Sequence, residues 1–81
     1  MASSTQAVRQ RHREAADRTV RQAERLVVTA GHLAVTLDRL AGIAAAEGSP
    51  QRSRRLHSYA TRARLEAERA RWTLIVRPRA G

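Results

Sequence analysis

Apolar positions in the first half of the chain recur in alternating steps of four and three: Leu26, Ala30, Leu33, Leu37, Leu40, Ala44. A 3.5-residue period of this kind lays one narrow apolar stripe along an α-helix. The stripe extends back through Ala23, Thr19 and Ala16 and fails at His12. The same rhythm returns as Leu56, Ala60, Ala63, Ala67, Ala70 and Leu74, where a run of alanines implies close approach of a second helix. Between the two stripes stands Ala44-Ala45-Ala46-Glu47-Gly48-Ser49-Pro50. Gly48 suits the left-handed position just past a helix end, Ser49 suits an N-cap, and Pro50 suits the first helical position, where a missing N–H costs nothing.

These signals predict an all-α fold. The expected architecture is one helical-hairpin domain spanning 1–81, with a helix over about 4–47, a turn at 48–49, a helix over about 50–76 and a basic tail at 77–81. Ser3 with Gln6 gives capping-box spacing at the start, and Gly31 and Gly42 are the only strong helix-weakening residues inside the first arm. A connection this short makes the arms antiparallel neighbours. Their lengths differ. Arm one spans about 66 Å and arm two about 40 Å at 1.5 Å per residue, so residues before about Val20 overhang without a partner from the same chain.

Size changes the picture next. A chain of 81 residues whose aromatics are Tyr59 and Trp72 alone has little with which to fill a core. The seam leucines do not offset the ordering of two long arms, so a second copy is expected on the same stripe, giving a homodimeric four-helix bundle or coiled-coil-like assembly. The dimer seam so defined is Leu26, Ala30, Leu33, Leu37, Leu40, Leu56, Ala60, Ala63, Ala67, Ala70 and Leu74. Val28 with Val35, and Leu65 with Trp72, are pairs seven residues apart that lie off this seam. They either pack inside a wide bundle or receive a partner protein.

Charge comes last and points outward. The chain carries +9 from 16 arginines and no lysine. Lysine and asparagine are both absent, which fits a coding bias, yet every guanidinium remains charged and able to fork onto phosphate or carboxylate. Arg55, Arg62 and Arg69 recur every seven residues and form one column with about 10.5 Å per step. Arg54 adds to its field, as do Arg77 and Arg79 of the tail. His57, Arg64 and Arg71 form a second column beside the seam, suited to covering the alanines with their stems while their heads reach water or a nearby acid. The overhang supplies Arg9, Arg11 and Arg13, with Glu14–Arg18 and Asp17–Arg21 at i,i+4 pairing distance.

Several chemistries lack their residues. Cysteine is absent, and His12, His32 and His57 are far apart with no acid or second histidine three or four residues away. No cofactor, no metal and no catalytic set is expected, and the glycine-rich phosphate loop, the zinc-finger spacing and a compact helix-turn-helix are missing. The first residues lack an apolar signal core, and the apolar window from Leu26 to Ala46 is interrupted by His32, Asp38 and Arg39. A cytoplasmic protein without a membrane partner is expected. The function this favours is an accessory or regulatory protein presenting arginine-rich helical faces to a DNA or RNA backbone. The alternative is an adaptor that takes a helical or acidic protein through Val28, Val35, Leu65 and Trp72.

Overall fold

The computed structural model describes residues 2–76, with side chains from Ser4 onward. Arg77 and Arg79 of the predicted tail lie outside the described residues. Two helices make the fold: α1, Ala2–Ala46 with 45 residues, and α2, Pro50–Ile75 with 26. They pack along each other as an antiparallel hairpin measuring 70 × 17 × 15 Å. Residues 4–19 are exposed throughout and Ala23 is the first buried position, so the overhang is an extension of α1 past the end of α2.

The turn is built by backbone. Ser49 N–H donates to the Ala44 carbonyl at 2.8 Å and Gly48 N–H to the Ala45 carbonyl at 3.0 Å. These are the two bonds of a Schellman ending, which needs a positive φ at its glycine; Gly48 has φ 79°. A Cβ at Gly48 would meet nothing within 4 Å, so the glycine is required by the dihedral and not by space. Pro50 opens α2 as expected. Ser49 departs from expectation: its side chain makes no capping hydrogen bond, and its carbonyl instead accepts from Ser53 N–H at 3.1 Å.

The arms meet along small residues. Among the described residues the buried apolar positions are all alanine: Ala23, Ala30, Ala34, Ala41 and Ala44 of α1 against Ala60, Ala63, Ala67 and Ala70 of α2. Ser53 fits the same small slot, and Val27, Leu37, Leu56 and Leu74 flank it half-buried. The α2 side of the contact follows the predicted stripe. The α1 side does not. Leu26, Leu33 and Leu40 are 47%, 51% and 44% exposed, and their places in the contact are taken by Val27, Ala34 and Ala41. At 100° per residue this amounts to turning α1 by about 60° about its axis. The cause is the flatness of α2: alanines opposite alanines let the backbones approach, whereas leucines would hold them apart.

Among the described residues, α1 is also the one helix long and apolar enough, by length and composition, to cross a membrane. Its apolar part packs on α2 along one side only and carries Asp38, which is tied to α2 by two side chains.

Candidate functional site

The antiparallel pairing divides the hairpin surface into two edges, where the arms flank their seam, and two backs. Asp38 holds the first edge together. Its Oδ1 lies 3.1 Å from His57 Nδ1, and its Oδ2 accepts a hydrogen bond from the Arg64 guanidinium. The second basic column therefore reaches an acid on the other arm at two of its three members. The carboxyl of Asp38 is held below its ordinary value chiefly by the hydrogen bond from Arg64, which outweighs the opposing desolvation, with a smaller lowering from the His57 hydrogen bond. A carboxyl depressed in the folded state contributes stability above its unfolded value, and that contribution is lost as pH falls through the folded one. In thermal melts the wild type should lose stability more steeply as pH falls below the ordinary carboxylate range than Asp38→Asn does. At neutral pH the variant should melt slightly lower, since the cluster is solvent-exposed. Identical acid limbs would mean that the cluster does not tie the arms.

The arginines fall into separate sets. Arg55, Arg62 and Arg69 are exposed on one side of α2, with Arg69 3.5 Å from Glu66 and the other two in no ion pair. Arg54 projects about 100° from Arg55 and stands outside that column. In the overhang, Arg9 and Arg13 continue the line of Ala23 and Val27 beyond the end of α2, where they line a shallow groove with Gln6 and Gln10. Arg11 belongs elsewhere. With Arg18, Arg25, His32 and Arg39 it makes a column at seven-residue intervals down the back of α1, every member exposed. Four steps of about 10.5 Å give it a length of about 42 Å. Its spacing is visible in the sequence, and the observed seam turns it to the back of α1. The expected Glu14–Arg18 and Asp17–Arg21 pairs are not formed; Glu14 instead accepts a weak hydrogen bond from Gln10 at 3.5 Å.

The apolar residues left outside the seam occupy three places. Leu26, Leu33 and Leu40 line the second edge of the hairpin, on the side of Tyr59, and a shallow groove there is lined by Leu40, Ile43, Glu47, Arg52 and Leu56. Val28 and Val35 stand on the Asp38 side of α1, whereas Leu65 and Trp72 project from the back of α2, directly away from α1. All four are exposed, but the hairpin does not bring them together as one surface. Trp72 is 63% exposed. Its fluorescence in the purified protein should be red-shifted and readily quenched by iodide or acrylamide; blue, protected emission would place it inside an assembly.

No group of three or more potential metal-ligating side chains occurs among the described residues. Comparison with protein-family models, with curated proteins and with solved structures finds no match to this chain.

Proposed function

We propose that this is a non-enzymatic accessory or regulatory protein that binds the phosphate backbone of nucleic acid through outward-facing arginines. The observation that carries this reading is the scarcity of internal partners: among the described arginines, only Arg64 and Arg69 lie within ion-pair distance of a carboxylate. A structural role in the hairpin would tie guanidinium groups to acids or bury their stems. Here Arg55, Arg62 and the α1 column do neither. The α1 column, about 42 Å long, exceeds the roughly 34 Å of one duplex turn, so a rigid helix laid along a duplex would meet phosphates on both sides of a groove. Nothing in either column offers a bidentate reader in a compact recognition helix, and recognition by shape and backbone follows. The compartment this implies is the cytoplasm.

Replacing Arg55, Arg62 and Arg69 together by glutamine tests the α2 column. Binding to a labelled duplex should weaken on all sequences alike, and its salt dependence should flatten by about 0.9 log units per lost phosphate contact. Helicity should not change, because these side chains lie off the seam. A triple variant that binds as the parent does would remove this column from the interface.

A second reading is favoured by Leu65 and Trp72, which are exposed on the back of α2 and contribute nothing to the hairpin contact. They suit an adaptor for a helical protein partner. Loss of a protein partner from Trp72→Ala, with nucleic-acid binding intact, would support it.

A further inference from the structure

We infer that the leucine edge of the hairpin is covered by a second copy of the same chain. This goes beyond the nucleic-acid reading and does not depend on it. The seam between the arms buries alanines and a serine and no large apolar side chain. Leu26, Leu33 and Leu40 are left on one edge, next to the half-buried Leu37 and Leu56 and on the side of Tyr59. From Leu26 to Ile43 that edge is about 26 Å long, and the hairpin is 17 Å across. Its footprint is therefore on the order of 450 Å² per subunit, or about 900 Å² for a pair, close to the lower bound for a specific interface.

The pattern on the edge selects the occupant. Three leucines at equal seven-residue intervals are unchanged by reversal about the middle one. A two-fold axis at Leu33 sets Leu26 of one chain against Leu40 of the other, and Leu33 against its own copy. The α1 positions on this edge between Leu26 and Ile43 (Thr29, Thr36 and the leucines) carry no charge, so no charge is buried where the two α1 helices would meet. The same axis points the two arginine-rich overhangs in opposite directions, which limits repulsion between chains of +9 each. An interface of this kind is apolar along α1, with Glu47 and Arg52 of the neighbouring groove at its rim, and is opposed by net charge, so it should tighten as salt rises. Phosphate binding has the opposite salt dependence.

Sedimentation equilibrium of the full chain at low and high salt tests this. The expected particle has twice the 9.0 kDa of one chain, with the dimer favoured at high salt. Leu33→Glu should abolish the dimer, whether the resulting monomer stays helical or unfolds. Leu33→Cys, placed on the axis, should cross-link to its copy on mild oxidation with helicity unchanged, whereas Leu65→Cys on the back of α2 should not. Three results would overturn the inference: a helical wild-type monomer at all concentrations, cross-linking through Leu65→Cys in preference to Leu33→Cys, or a monomer in buffer that floats with lipid vesicles and so covers the edge with lipid.

Discussion

Ala60→Leu is expected to lower the melting temperature of the protein by roughly 10 °C. Ala60 and Ala41 are both 0% exposed and lie on facing sides of the seam. Leucine adds three heavy atoms there, and the helices must separate or the side chain must leave its rotamer. Overpacking of that kind costs about 1–3 kcal/mol, and a domain of this size shifts by about 4–8 °C per kcal/mol. The cost propagates because the seam is continuous: separating the helices at Ala60 also separates Ala34 from Ala63 and Ala30 from Ala67. Ala45→Leu, an exposed position on the same helix as Ala41, is the control and should be close to neutral. Thermal melts by circular dichroism read both. An Ala60→Leu protein that melts with the wild type would mean that the arms do not meet through alanines.

The second large effect concerns the back of α1. Replacing Arg11, Arg18, Arg25 and Arg39 together by glutamine should cut the slope of log affinity against log salt by about 3.6 for duplex DNA, at about 0.9 per phosphate. Low-salt affinity should fall with it on every sequence tested. Stability should hold, because none of the four makes an ion pair within the hairpin and all are exposed. Comparison with the Arg55, Arg62 and Arg69 triple variant then assigns the interface: the larger loss of slope marks the helix that lies against the duplex. Binding unchanged in the four-site variant would leave the α1 column without a role in phosphate contact.

Much of this was legible in the sequence, and where it was not the reason is physical. The hairpin and its turn followed from Gly48 and Pro50, whose backbone requirements are local and hold whatever surrounds them. The α2 side of the seam followed from its alanines, because no larger residue on that helix competes for the same stripe except Leu56 and Leu74, which lie on it. On α1 two stripes share Ala30, Leu37 and Ala44, and the choice between them rests on Leu26, Leu33 and Leu40 against Val27, Ala34 and Ala41. A heptad rule prefers the leucines. The structure takes the alanines because the partner helix is flat, a fact that belongs to the pair of helices and not to either one. The same rotation of about 60° carries the α1 arginine column to the back of that helix, whereas Leu65 and Trp72 point away from α1 with either stripe in the seam and so do not join Val28 and Val35. Ser49 shows a local limit: a serine in the capping position need not cap when its backbone already closes the turn.

The most direct measurement is the affinity of the full wild-type chain for a labelled duplex across a salt series, repeated with an unrelated sequence. Arginine columns that meet phosphates should give binding at low salt, a log–log slope of several units, and the same affinity for both sequences within a factor of a few. Absence of binding even at about 50 mM salt, or affinity that does not change with salt, would contradict a phosphate-binding role for these faces.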